Sequence, residues 1–495
     1  MIQTRNLIQK KFRPFTIFGR DAIGLVILAL VCIVSNAAES ERFNIITIVT
    51  DDQAQWAVGA YGNREVRTPN MDRLARDGAR FQNAFACTPV CSPSRAAFFT
   101  GRYGTQLGIT DYIAPVENAA GVGLPTNAIT WPKVLQQHGY TTALIGKWHL
   151  GSKPQHHPTR HGFDSYFGFP VGDGGIPPLD PTLEINGVTN KFLGAAADLF
   201  TDAAMRFIET NRAKPFALVM TFREPHAPYA PVMPEDSAPF RYADITIPRV
   251  TGLDTYQIRH LTRQYYASIH SVDRNLGRLL AKLDELNLAG KTIILFTSDH
   301  GYMIGHHGLV HKGNATWEIG GLSGPRRPNM FEESIRVPLL VRWPGVVKPG
   351  TEIAEMVSNI DTFATVLGML GIAPPTDWKQ EGIDFSPLLR GEKLPRREAI
   401  FGQYDLHNYG LAYMRMIRTE QWKLVRFYRA NYLDELYDLK NDPGETHNLY
   451  EAPASQGIRD ELQEKLSARL SSINDPILRD DVTGENPKHP APSSK

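Results

Sequence analysis

The feature that most constrains this chain is an alternation that begins at Phe43: short β-branched runs separated by stretches of helical periodicity. Residues 45–49 form a five-residue run of the buried-strand type, and residues 141–145, 216–221 and 292–296 are further strand candidates. Residues 198–210 and 256–286 read as helices; Thr68-Pro69 reads as an N-cap with Pro at the first helical position, and Gly78 as the C-cap of the same helix. Strands alternating with helices predict a largely parallel sheet covered on both faces, with ligand sites at the carboxyl ends of its strands. Around residues 376–395, with Pro387, Gly391 and Pro395, the chain becomes loop-like. Beyond it, short runs at 399–404, 413–419, 422–427 and 435–438 predict a small antiparallel sheet, and 458–473 a closing amphipathic helix. The expected fold is therefore α/β: a large, mostly parallel (mixed) sheet flanked by helices, with a smaller C-terminal α+β subdomain. No internal repeat is present. With 42% hydrophobic and 21% charged residues, and Gly and Pro scattered, wholesale disorder, collagen-like repeats and coiled coil are excluded.

The formal charge of +1 hides an uneven distribution. Five basic residues (Arg5, Lys10, Lys11, Arg13, Arg20) and one acid (Asp21) fall in the first 37, leaving 48 of the 53 Lys+Arg against 51 of the 52 Asp+Glu. A broad basic surface for nucleic acid is thereby excluded. Residues 1–37 read as a secretory signal: a basic segment, an apolar or small run at 22–34, then Ser35 and Ala37 at the cleavage-determining positions. That run is shorter than the ~20 residues a membrane span needs, so cleavage is expected near Ala38, with an uncleaved anchor as the alternative. Val31 before Cys32 is too bulky for lipoprotein cleavage. The expected product is exported, periplasmic or secreted, with no stable membrane association. It comprises residues 38–380 as catalytic domain, 381–482 as C-terminal subdomain and 483–495 as disordered tail. Only Cys87 and Cys91 then remain, too few for a disulfide scaffold, although their spacing permits pairing.

Two strand candidates run into acids, one into Asp51-Asp52 and the other into Asp299-His300-Gly301. In a parallel sheet both leave at the same rim. Three carboxylates and one imidazole make a mostly oxygen donor set, suited to Ca²⁺ or Mg²⁺ rather than Zn²⁺, and unneutralised acids this close would repel. Either pair alone is better explained by helix capping; their coincidence on matching strand ends favours a cation. In Cys91-Ser92-Pro93-Ser94-Arg95, Ser92 reads as a cap, Pro93 as a first-turn residue, and Gly101 as the helix end. Cys91 then lies where backbone N–H groups and the helix dipole favour an anion, with the planar fork of Arg95 one turn on. The Cys–Arg spacing is too short for the cysteine-phosphatase loop.

These residues, Cys91-x-Pro93-Ser94-Arg95 followed by Thr100-Gly101-Arg102, resemble the signature of the type I sulfatases of the alkaline-phosphatase-like superfamily. The resemblance extends over Asp51-Asp52, Gly146-Lys147-Trp148-His149-Leu150-Gly151, Pro225-His226-Ala227-Pro228, Asp299-His300-Gly301, Lys312 and the late Leu436-Tyr437-Asp438-Leu439, so that it covers residues 44–449. It implies conversion of Cys91 to formylglycine by a formylglycine-generating enzyme. It also implies a Ca²⁺ site (Mg²⁺ the alternative) of Asp51, Asp52, Asp299, His300 and the modified Cys91. Arg95, Lys147 and Lys312 match residues that hold sulfate and aldehyde oxygens, and His149 and His226 the acid–base pair. The implied reaction is hydrolysis of a sulfate ester through a covalent sulfoenzyme. A hydrated aldehyde offers two hydroxyls on one carbon, one to attack sulfur and one to expel sulfate, which a serine or thiol lacks.

Substrate is less legible. A Gly/Pro-rich stretch at 313–328, expected as a loop, places Trp317 to stack on a sugar and Arg326 or Arg327 to meet a uronate or second sulfate. His306, His307 and His311 are read as loop or rim residues. The expected substrate is a sulfated carbohydrate, or a small aryl or alkyl sulfate. A phosphonate or phosphate monoester hydrolase of the same superfamily is the alternative. A non-catalytic carbohydrate-binding relative would have lost some of these residues, and none is missing.

Overall fold

The computed structural model describes residues 42–171, 176–320, 322–429 and 432–479. The expected leader (1–37) and tail (483–495) lie outside these described residues, in which no helix is long and apolar enough to cross a membrane.

The alternation resolves into a mixed sheet of ten strands. Its centre is parallel: Thr292–Ser298, Asn44–Thr50, Phe216–Thr221, Thr141–Lys147 and Ser165–Phe169 lie side by side in that order. Antiparallel Leu339–Arg342 joins Thr292–Ser298 to Ala79–Phe85 and Thr351–Ser358 at one edge. The hairpin Thr182–Ile185/Val188–Lys191 closes the other. The sheet is wider than the sequence pattern indicates, because the edge strands carry mixed burial rather than continuous apolar runs.

The period-2 alternation of the central strands divides the core. Ile46, Ile48, Leu218, Met220, Ile294 and Phe296 face a layer built by helices Pro69–Asp77, Ala196–Asn211 and Thr255–Glu285. Ile45, Val49, Ala217, Val219, Ile293 and Leu295 face the opposite layer, where helices Cys91–Thr100, Trp131–Gln137 and Thr362–Met369 pack. Thr68 stands at the N-cap of Pro69–Asp77, but its hydroxyl accepts from Gly59 N (2.8 Å) and donates to Asp72 Oδ1 (3.1 Å) rather than capping the first turn.

Residues 313–328 are not a loop. Asn314–Ile319 and Leu322–Pro328 form an antiparallel hairpin that continues through Leu309–His311 to Met303–Ile304 as a separate four-stranded sheet. Pro325 and Pro328 fall on its edge strand, where a missing N–H leaves no ladder bond unmade. The C-terminal sheet is an antiparallel meander of Ile400–Leu406, Ala412–Arg418, Trp422–Arg429 and Glu435–Asp438. Helix Gln456–Ser472 packs on it through Leu462, Leu466 and Leu470 against Ile417, Leu424 and Leu436.

Candidate active site

Register brings the acids together. Val49 pairs with Thr297 and Thr50 with Ser298, so Asp51 and Asp299 leave adjacent parallel strands side by side. On the other flank Val49 pairs with Thr221, and Thr221 with Gly146. The segments carrying His226 and Lys147-Trp148-His149 therefore emerge at the same rim. A Cβ on Gly146 would sit 1.9 Å from Thr221 O, so only glycine lets the strand holding Lys147 lie this close. Asp52 (φ 71°) and His149 (φ 57°) both hold left-handed backbone, a cost of about 1–3 kcal/mol each that the surrounding structure must offset.

Helix Cys91–Thr100 points its first residue at these acids. Val90, not Ser92, is its N-cap, and Ser92 Oγ instead accepts from Ile113 N at 3.0 Å. Gly101 closes it in left-handed conformation, as expected. Ser94 donates to the carbonyl of Asp299 and accepts from Asn359 Nδ2 at 2.7 Å, bolting the helix start to the rim. Lys312 arrives from the turn before Asn314–Ile319. Gly313 donates to Pro89 O at 3.1 Å, and a Cβ there would strike the Pro89 ring 2.5 Å away.

Cys91 Sγ is the hub. It lies 3.1 Å from Lys312 Nζ, 3.5 Å from Asp51 Oδ1 and 3.5 Å from His300 Nε2. Lys147 Nζ is 2.5 Å from Asp51 Oδ2, and Lys312 Nζ is 2.5 Å from Asp52 Oδ1. Arg95 Nε donates to Asp299 Oδ2 at 3.0 Å. Its Nη2 lies 3.0 Å from the same oxygen, but without the alignment to donate, and has no hydrogen-bond partner. His300 Nε2 is 3.4 Å from Asp52 Oδ1 and 3.5 Å from Asp299 Oδ1. His226 turns Nε2 to Asp52 Oδ2 at 3.8 Å, its Nδ1 2.7 Å from Ala227 O. His149 Nε2 is 3.3 Å from Ile113 O, and its buried Nδ1 has no partner.

The electrostatics follow from this crowding. Burial pushes Asp51 up, but Lys147, His226, Arg95 and Lys312 outweigh it and hold the carboxyl well below the carboxylate range. Burial pushes Asp299 up to about 7. Against burial, Lys147 and Lys312 draw the Cys91 thiol down to about 6, and Asp299 lifts His300 to about 9. Burial, reinforced by Lys147 and Arg95, holds His149 well below the usual imidazole value.

Ligand atoms of Asp51, Cys91, Asp299 and His300, and separately of Asp51, Asp52, Cys91 and His226, lie within 4.8 Å of one another. These hard oxygens with one or two imidazole nitrogens fit a divalent cation of the Ca²⁺/Mg²⁺ kind. His307, Glu333 and Glu445 form a third such group. There Lys423 Nζ already lies 2.7 Å from Glu445 Oε1 and 2.7 Å from Glu332 Oε1, so an ammonium supplies the positive charge.

A cavity of about 210 Å³ opens on the hub, walled by residues including Asp52, Cys91, His149, His226 and Lys312 together with Tyr112, His311, Asn314, Arg326 and Tyr409. Of the three residues expected to meet substrate, Arg326 is in the wall. Arg327 turns away to Glu435, and Trp317 packs with Met303, Leu309, Phe331 and Tyr437. Sequence reasoning missed Tyr112 and Tyr409, which belong to loops without a motif.

Comparison with known proteins agrees with this geometry. A family model described as Sulfatase matches residues 43–372, and one described as N-sulphoglucosamine sulphohydrolase, C-terminal, matches residues 326–472. Steryl-sulfatase of Mus musculus is 31% identical over 468 residues, covering 78% of this chain and 70% of the relative. N-acetylglucosamine-6-O-sulfatase of Bacteroides thetaiotaomicron is 28% identical over 535 residues, covering 90% and 89%. A solved structure of a protein in complex with its substrate D-glucosamine-2-N,6-O-disulfate superposes with a TM-score of 0.76 at 27% identity, over 90% of this chain and 100% of that one. Sheet, rim and relatives define the class, an enzyme of the alkaline-phosphatase-like superfamily. More narrowly, the chain belongs to the sulfatase family and is a sulfuric ester hydrolase.

Proposed function

We propose that this enzyme hydrolyses sulfate esters of carbohydrates, using Cys91 as the precursor of formylglycine and Asp51, Asp52, Asp299 and His300 as ligands of a divalent cation. The supporting observation is the position of Cys91 Sγ, buried at a helix start within 3.5 Å of Asp51, His300 and Lys312. It stands where the oxygens of a hydrated formylglycine would be. When present, the cation and the hydrated aldehyde supply the Lewis acid and the nucleophile.

The chain's own side chains do the rest. Lys147, Lys312 and the unpartnered Nη2 of Arg95 hold nonbridging sulfate oxygens, whose charge shifts toward the leaving alkoxide as the S–O bond breaks. His226, in the cavity wall with Asp52 beside its Nε2, holds a proton at that atom for the departing alcohol. His149, kept neutral by burial and two cations, is the base that frees sulfate. Carbohydrate sulfate is favoured over aryl sulfate because Asn314 and Arg326 in the cavity wall offer hydrogen-bonding groups to sugar hydroxyls, and because one similar protein is an N-acetylglucosamine-6-O-sulfatase and another is bound to a sulfated glucosamine. Export ahead of Ala38, the catalytic span 38–380 and the subdomain 381–482 complete the reading.

Peptide mass spectrometry across residues 85–95 of protein co-produced with a formylglycine-generating enzyme tests the modification: the peptide should lose the mass that separates a thiol from an aldehyde. Chelation of the same preparation should abolish hydrolysis of p-nitrophenyl sulfate, and Ca²⁺ or Mg²⁺ should restore it. An unmodified Cys91 in a fully active preparation would refute the proposal. Phosphate and phosphonate monoesters assayed alongside separate it from the alternative chemistry.

A further inference from the structure

Arg326 lies on the edge strand Leu322–Pro328 and reaches across the hairpin to donate from Nη1 to Asn314 O at 2.6 Å. Its guanidinium carbon is 5.5 Å from the ring centroid of Tyr409. Both residues line the cavity that holds Cys91 and His226. Nearby arginines are matched by acids: Arg95 by Asp299, Arg327 by Glu435, Arg418 by Glu332. Among the described residues, Arg326 has no carboxylate within ion-pair distance and no acceptor for its guanidinium but Asn314 O. Asp52, the acid of that cavity wall, is held by Lys312 at 2.5 Å. A half-buried cation held by one carbonyl and one aromatic ring, with no counter-charge, is a poor structural device. It is a suitable receptor for an arriving anion.

Tyr409 is built for the same purpose. It is 74% exposed and holds φ 60° in the loop between Ile400–Leu406 and Ala412–Arg418. That loop is anchored: His407 N and Asn408 N donate to Asp111 Oδ2 at 3.0 and 2.9 Å, and Asn408 Nδ2 donates to Tyr112 O at 3.0 Å. An exposed ring on a fixed loop beside an unmatched arginine offers a stacking face and a charge at a set separation. The cavity volume of about 210 Å³ is below the ~300 Å³ at which pockets begin to enclose drug-sized ligands, so it takes about one sugar residue.

We infer that Arg326 and Tyr409 form the leaving-group subsite, and that the preferred substrate is a sulfated sugar bearing a second anionic group, sulfate or carboxylate, within one residue of the scissile ester. This rests on the sulfatase reading of the Cys91 site.

The test uses matured full-length enzyme and reads sugars as inhibitors of p-nitrophenyl sulfate hydrolysis, so that each probe reports whether or not it is turned over. The probes are N-acetylglucosamine 6-sulfate, D-glucosamine-2-N,6-O-disulfate, and N-acetylglucosamine 6-sulfate linked to glucuronate. At least one doubly charged probe should bind tighter than the singly charged one by about tenfold to a hundredfold, the worth of a charged hydrogen bond. Which one does so distinguishes a second sulfate from a carboxylate. Arg326→Ala should bring the ratio to within about twofold, Arg326→Lys should restore part of it, and Arg327→Ala should keep it. Tyr409→Ala should weaken all three probes and leave the ratio intact. Equal inhibition by all probes in the wild type, or a ratio that survives Arg326→Ala, overturns the inference while leaving the sulfatase reading in place. Failure of matured wild type to cleave p-nitrophenyl sulfate at all overturns that reading instead.

Discussion

Two buried charge clusters in this chain differ in how completely their polar atoms are used. Around Arg415 every donor is satisfied. Nε and Nη2 donate to Asp475 at 2.7 and 2.8 Å, and Nη1 donates to Met414 O at 2.8 Å and to Asp405. Asp475 in turn accepts from Gln403 Nε2 at 2.8 Å and Ile477 N at 2.9 Å. The cluster ties two strands of the C-terminal sheet to the chain leaving helix Gln456–Ser472, and Asp405 and Asp475 hold the Arg415 guanidinium firmly charged despite its burial. Around Cys91, by contrast, Arg95 Nη2 and His149 Nδ1 are orphaned, Asp52, His149, His311 and Tyr409 hold positive φ, and a cavity opens on the hub. A closed network spends its charges on itself. An open one keeps them available, and native proteins tolerate buried unsatisfied groups chiefly where function uses them.

The sharpest way to break this contrast is at the hub. Cys91→Ala should lower kcat on p-nitrophenyl sulfate by about 10⁴-fold or more, as loss of a nucleophile does, while shifting the urea unfolding midpoint little, because Asp51 keeps Lys147 and Asp52 keeps Lys312 without it. Turnover undiminished by the substitution would remove Cys91 from the chemistry. Next in size is Arg415→Ala, which strands Asp405 and Asp475 and should cost about 3–5 kcal/mol in urea unfolding. A cost below about 1 kcal/mol would show that closure of the network is not what stabilises the C-terminal sheet.

Lys147→Ala reverses the balance. Removal of one fixed charge from the sulfate should lower kcat/KM by about 10²–10³-fold. The stability cost should be smaller than that of Arg415→Ala, since Asp51 retains Arg95 Nη2 at 3.6 Å and the Cys91 thiol at 3.5 Å. Should Lys147→Ala destabilise as much as Arg415→Ala, the two clusters would not differ in kind.

What was legible in the sequence divides along the same line. The strands ending in Asp51 and Asp299 are β-branched and fully buried, so their pattern announces both strand and rim, and parallel register supplies the adjacency. Helix Cys91–Thr100 announces itself through Pro93 and Gly101, although Ser92 was misread as its cap because Val90 carries no capping signal. Strand Ala79–Phe85 was invisible: Arg80, Gln82 and Asn83 alternate with apolar residues and carry no β-branched side chain. The hairpin at 314–328 was hidden by its glycines and prolines, which the edge position permits. Tyr409 had no local signal at all, since only the meander brings it from far along the chain to the cavity.

A third kind of buried group, one with no well-formed hydrogen bond and no cavity, gives the smallest effect. His161 is fully buried and stacked on Trp148 at 5.8 Å between centroids, and neither ring nitrogen makes a well-formed hydrogen bond, the Gln155 backbone being its one weak polar neighbour. Burial, with His156 and Lys133 adding to it, holds the imidazole down to about 4. The unfolded chain, with an ordinary value of about 6.5, takes up a proton that the folded chain refuses until the pH is near 4. Stability is therefore fully present above about pH 6.5 and drains away as the pH falls through that window, by at most about 3 kcal/mol. His161→Phe keeps the stacked ring and removes the proton site, so its urea unfolding free energy should fall less than that of the wild type between these two pH values. Parallel pH profiles for the two proteins would mean that the ring is reached by water or a hydrogen-bond acceptor, and that His161 belongs with the open cluster beside it rather than with the closed core.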